Sequence, residues 1–135
     1  MTNASMGRDN FAERFDLWNA EQKAAVKDVV KQVKDLDLEV VRISFPDQHG
    51  ILRGKTIVAD EIEAALNNGV GMVTTLLAKD TAHKTVFPWF TEGGGFGMEE
   101  MSGGGDFLMI ADPTTFRVLP WAHKTGWIMA DIYFP

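Results

Sequence analysis

The chain has 135 residues, enough for one domain and short for two, and its 45% hydrophobic content supports a core without covalent staples. It has no cysteine, which excludes disulfides, thiolate metal sites and cysteine nucleophiles. A net charge of −6 offers no basic footprint for nucleic acid, and no apolar run approaches the ~20 residues of a membrane helix, so the composition describes a soluble, cytoplasmic protein.

Residues 1–18 read as a flexible leader, polar at first, in which Phe11, Phe15, Leu17 and Trp18 can anchor a short helical turn on the surface. Residues 19–37 form the first clear helix. Asn19 is placed to cap it with Gln22 three residues on, a capping-box spacing. Ala25, Val29, Val33 and Leu36 make one apolar stripe, while Lys23, Lys27, Lys31 and Lys34 lie largely off it as a solvated face.

Residues 38–135 are read as one further unit. Val41, Ile43 and Phe45 alternate with Val40, Arg42 and Ser44, the period of a half-buried strand. Pro46-Asp47-Gln48-His49-Gly50 supplies a turn, and Ile51 to Val58 returns as an antiparallel partner. A second helix is expected over 60–68, capped by Asp60 with Glu63 completing a box, and closed by Gly69. Met72 to Leu77 reads as a third strand. From about 78 to 105 the periodicity fails and seven glycines fall between Gly93 and Gly105, the pattern of a mobile insertion. Asp106 to Ile110 is apolar enough for a central strand, Asp112-Pro113 marks a turn, and strands follow over 116–119 and 125–133. A hairpin, a helix and further strands add up to an α+β fold, a mixed sheet with a helix packed across it, for which the β-grasp (ubiquitin-like) layout is the natural version.

Two segments carry more than periodicity. One is Val41-Arg42-Ile43-Ser44-Phe45-Pro46-Asp47-Gln48-His49-Gly50-Ile51-Leu52-Arg53-Gly54-Lys55, a strand, an Asp-x-x-Gly turn and a strand with Arg-Gly-Lys. The other is Ala111-Asp112-Pro113-Thr114-Thr115-Phe116-Arg117-Val118-Leu119-Pro120-Trp121. Together they resemble the N-terminal β-grasp domain of the glutamine synthetase family, over roughly residues 38–133. The resemblance is closer to the branch that makes γ-glutamyl-polyamines and related γ-glutamyl amides. Where the ammonia-using enzymes carry a Phe-Asp-Gly-Ser-Ser run, this chain reads Met72-Val73-Thr74-Thr75-Leu76. The ammonia-binding aspartate of that run has no counterpart here, which leaves an amine acceptor open.

The resemblance implies a parent enzyme that uses ATP and magnesium or manganese to join glutamate to ammonia or an amine through an acyl phosphate. It places the metal ligands and nucleotide loops downstream, in a catalytic domain beyond this segment, so no catalytic residue, metal site or cofactor is expected here. It also implies rings of subunits in which this domain covers a neighbour's active site and lends a loop to the acceptor pocket. Residues 73–90 are the local candidate for that loop, with Thr74, Thr75 and Asp80 as substrate-binding candidates, His83 and Lys84 as further polar groups, and Phe87, Trp89 and Phe90 as an apolar lid. His49, His83 and His123 show no metal-ligand spacing, and the glycine clusters lack the Lys-Ser/Thr pair of a phosphate loop. In the bland reading, Asp47, Gly50, Asp112 and Pro113 shape turns, Pro120 ends a strand and Trp121 packs at the sheet edge. Trp127 and Tyr133 then mark a surface for a neighbouring subunit. The alternative to a ligase domain is a free-standing β-grasp protein-interaction or regulatory module without catalysis.

Overall fold

The computed structural model describes residues 9–86, 94, 98 and 105–134. Within them α1 (Phe11–Arg14) and α2 (Ala20–Asp35) precede β1 (Val40–Pro46) and β2 (Leu52–Val58). Then come α3 (Ile62–Asn68), β3 (Val70–Val73), β4 (Asp106–Ala111), β5 (Arg117–Val118) and β6 (Thr125–Tyr133). Short 3-10 turns occupy Ala59–Glu61, Thr74–Ala78 and Pro113–Thr115.

The strands form one mixed sheet in the order β2-β1-β6-β4-β3, with β5 also on β6. β1 and β2 pair antiparallel from Val40↔Val58 to Pro46↔Leu52, as the alternation predicts. β1 and β6 run parallel, Val40↔Thr125 through Ser44↔Met129, and this pair joins the first strand of the fold to the last. β6 is long enough to serve two partners in succession. Its first half lies between β1 and β5, and its second half, Ala130 to Tyr133, pairs with β4. The fold is therefore α+β, as expected.

Burial follows the predicted faces. Val41, Ile43 and Phe45 are buried on β1, and Phe107 to Ala111 are all buried on β4, the strand expected to be covered on both sides. Each such aliphatic or aromatic side chain contributes about 1.5–3 kcal/mol when fully removed from water. Phe45 meets Phe107 edge to face with ring centroids 5.4 Å apart. Val29 and Val33 bring α2 into the same core, and Ile62, Ala65 and Leu66 bring α3.

Several local expectations shift. The cap of α2 forms as predicted: the Asn19 side chain accepts from the Gln22 amide and the Gln22 side chain from the Asn19 amide. Leu36 caps the end of α2 and stands 53% exposed, so the buried stripe is Val29 and Val33. Asp60 does not cap the second helix. It sits inside the 3-10 turn Ala59–Glu61, α3 starts at Ile62, and no side chain caps it. Gly69 does end α3, with φ +73°, and a Cβ there would lie 2.6 Å from Ile110 Cδ1. The third strand is Val70–Val73, not 72–77, because the chain turns into a 3-10 helix at Thr74. Strand 116–119 shortens to Arg117–Val118, and Trp121 is 76% exposed instead of packed at the sheet edge.

Segment 9–18 is packed against the domain: Phe11, Ala12 and Trp18 are buried, and Trp18 Nε1 donates to the Ala111 carbonyl at 3.1 Å. The expected insertion is described only at its start, up to Val86, and at Gly94, Met98 and Gly105; its remainder, with Phe87, Trp89 and Phe90, lies outside the described residues, as do residues 1–8. No described helix is long and apolar enough to cross a membrane.

Candidate functional site

The hairpin between β1 and β2 turns tightly. Gly50 takes φ +75°, its amide donates to the Asp47 carbonyl at 3.0 Å, and the Asp47 amide donates to Ile51 O at 2.9 Å. The Asp47 side chain is fully buried. Its Oδ1 accepts from the amides of His49 (2.8 Å) and Ile51 (3.0 Å), and its Oδ2 accepts from Arg53 Nε at 3.0 Å. Burial pushes this carboxyl upward. The Arg53 hydrogen bond, the Ile51 and His49 amides and the guanidinium charge outweigh burial and hold it below the usual carboxylate range.

Arg53 continues past Asp47 to the loop that follows β3. Its Nη2 donates to Asp80 O at 3.2 Å and its Nη1 to His83 Nδ1 at 2.6 Å. Two neighbours in the turn reach the same segment: Gln48 Nε2 donates to Leu77 O at 2.6 Å, and His49 Nε2 to Lys79 O at 3.2 Å. The hairpin thus binds residues 77–83 through four side-chain hydrogen bonds. The loop is also ordered by its own bonds. Lys79 bridges to Thr85, Asp80 N donates to Lys84 O at 2.8 Å, and Val86 N to Ala78 O at 3.0 Å.

The three sequence-predicted site residues fall in different environments. Thr74 is fully buried, with its amide on Gly105 O at 2.8 Å. Thr75 is half-buried on the 3-10 turn. Asp80 is half-buried, and its Oδ1 accepts from the amides of Ala82 and Lys84, both at 2.9 Å, so that oxygen shapes its own turn. The structure draws Asp80 and His83 together through Arg53 and leaves Thr74 buried. Arg53, Gln48 and His49 were not singled out as loop-binding residues by sequence reasoning. The Asp-x-x-Gly-x-x-Arg spacing is the signal that pointed there, since it returns Arg53 beside the turn that holds Asp47.

A second aspartate turn lies on the other side of the sheet order. Asp112 accepts from the Thr114 amide (3.0 Å) and hydroxyl (2.7 Å), and Thr115 Oγ1 in turn accepts from the Met129 amide at 2.9 Å. Burial raises the Asp112 carboxyl, and the Thr114 and Gln22 hydrogen bonds more than reverse that, leaving it lowered. Among the described residues, no group of three or more His, Asp or Glu is placed to hold a metal ion. On the outward side of β1 and β6, Trp127 is half-buried with Nε1 donating to Ser44 Oγ at 3.2 Å; Tyr133 is also half-buried, beside Phe11.

No family model matches the chain. It is 32% identical over 112 residues to a glutamine synthetase of Methanosarcina mazei, covering 81% of this chain and 21% of that relative. Solved structures of GmaS, without ligand and in complex with ADP, superpose with TM-scores of 0.55 at 29% and 26% identity. Each covers 78% of this chain and 20% of GmaS. The chain belongs to the glutamine synthetase family and corresponds to its N-terminal portion. Within that family it is 38% identical over 128 residues to the γ-glutamylanilide synthase of an Acinetobacter species, covering 93% of this chain and 26% of that relative. It is 37% identical over 98 residues to the γ-glutamylethanolamide synthetase GlnA4 of Streptomyces coelicolor, covering 71% of this chain and 20% of that relative. The chain therefore spans about a quarter or less of the length of these relatives.

Proposed function

We propose that the chain is the N-terminal β-grasp domain of an ATP-dependent ligase that joins glutamate to an amine, and that it roofs the active site of a neighbouring subunit. The observation that carries this reading is the 38% identity to γ-glutamylanilide synthase across 93% of the chain, in a segment that makes up 26% of that enzyme. The β-grasp assignment is supported by the strand order, with the first and last strands parallel at the centre and a hairpin at one edge. An amine acceptor is favoured by the relatives named for anilide and ethanolamide products, although a glutamine synthetase also matches. ATP as phosphoryl donor is supported by the ADP complex of GmaS. Magnesium or manganese would be held by residues beyond this segment.

In this reading residues 74–86 form one wall of the acceptor pocket. Thr75 and Asp80, both partly exposed, would meet the acceptor, and buried Thr74 would anchor the wall. The test is the full-length product of the reading frame, assayed for glutamate-dependent ADP release with ammonia, ethanolamine and aniline. The expected result is turnover that depends on an amine and exceeds that with ammonia. A frame that ends near Pro135, or a full-length product inert with every acceptor, overturns the proposal.

A further inference from the structure

We propose that Arg53 is the positioning residue for residues 77–85 and that it holds them only while His83 is neutral, which makes the hairpin and loop a proton-released clasp. The Arg53 side chain is 10% exposed and its guanidinium makes three directed contacts, with Asp47 Oδ2, Asp80 O and His83 Nδ1. Every polar hydrogen of a guanidinium is donated and none of its nitrogens accepts. Nδ1 of His83 must therefore present a lone pair, so the ring is neutral and carries its proton on Nε2. A second proton on this ring removes the acceptor and sets an imidazolium against a guanidinium.

The surroundings favour this assignment. The hairpin contributes Asp47, whose carboxylate is already committed to Arg53 and two amides, and His49, which donates to Lys79 O. The loop contributes Asp80, whose Oδ1 is taken by the Ala82 and Lys84 amides, together with Lys79 and Lys84. None of these contacts puts a carboxylate on His83, so no described anion takes over when Arg53 is displaced. The backbone adds to the cost of holding the ring in place: His83 has φ +63°, a left-handed conformation that non-glycine residues adopt infrequently. His83 is exposed, so solvent protons reach it freely.

The inference concerns the chain itself. It relies on the proposed function only for its catalytic consequence, an acceptor wall that loosens in acid. Amide hydrogen exchange on the 135-residue chain separates the two, because it needs no ligase activity. The probes are the Asp80, Lys84 and Val86 amides, bonded to Lys84 O, Asp80 Oδ1 and Ala78 O, with the β4 amides as internal reference. After correction for intrinsic exchange, the wild type is expected to lose about tenfold loop protection between about pH 8 and about pH 5, while β4 stays unchanged. Arg53→Lys keeps the charge but cannot fork to both loop acceptors, so its loop should be weakly protected at either pH. His83→Asn tolerates positive φ and keeps an acceptor, so its loop should stay protected and lose the pH dependence. This variant removes the imidazole and keeps the Asp80 carboxylate, so it separates the two groups. Full protection in Arg53→Lys, or a wild-type pH profile in His83→Asn, overturns the inference. If the Arg53 variant does not fold, the wild type and His83→Asn decide it.

Discussion

The two aspartate turns use the same local device in different ways. Asp47 and Asp112 both sit at chain reversals, both accept backbone amides, and both have a carboxyl held below its ordinary range. Asp112 is satisfied by its own neighbours, Thr114 above all, and its turn is tied to β6 through Thr115. Asp47 is satisfied partly by a cation, and that cation reaches a segment some thirty residues away. One turn ends a strand; the other ends a strand and fixes a second loop. The lesson is that the chemically sensitive aspartate is the one whose partner has other contacts to lose.

The glycines of the two regions sharpen this contrast most. A Cβ on Gly54 would stand 1.9 Å from Ile43 O, a backbone atom in the adjacent strand. A Cβ on Gly126 would stand 2.6 Å from the edge of the Phe116 ring, a side chain that can turn aside. Gly54→Ala should therefore cost about 4 kcal/mol or abolish the hairpin, and Gly126→Ala about 1–2 kcal/mol, by urea denaturation.

Next in size is the aspartate pair. Asp47→Ala leaves a nearly buried guanidinium unpaired and two amides without acceptors, for an expected loss of about 3 kcal/mol. Asp112→Ala removes a cap-like acceptor and should cost about 1 kcal/mol. The same pair sets the acid limit of stability. Both folded carboxyls titrate below their unfolded value, so their stabilisation is complete above that value, near 4, and is lost as pH falls through the folded one. Chemical denaturation from about pH 6 down to about pH 2 should show this decline, and Asp47→Ala should flatten it more than Asp112→Ala.

What was legible in the sequence was local or periodic. The Asn19–Gln22 box needs only a three-residue spacing, and the alternation of β1 needs only a period of two; both formed as read. The Asp60–Glu63 box has the same spacing and failed, because the chain leaves β2 through a 3-10 turn that starts the helix two residues later. The apolar run Met72 to Leu77 looked like a strand throughout, yet Thr74 is buried by a turn. The Trp18 bond to Ala111 and the Arg53 bond to His83 join residues far apart in the chain, and no local pattern announces them. For the candidate site, the motif drew attention to the right hairpin, but as a turn alone.

The central claim, that residues 74–86 serve a neighbouring protomer's active site, is tested most directly by mixing subunits of the full-length protein. One subunit carries Thr75→Trp to block the acceptor wall, and the other is inactivated in the segment beyond residue 135. The account expects each to be inactive alone and the mixture, after dissociation and reassembly, to recover a substantial fraction of wild-type amine-dependent ADP release at hybrid sites. A reassembled mixture as inactive as its components would contradict it.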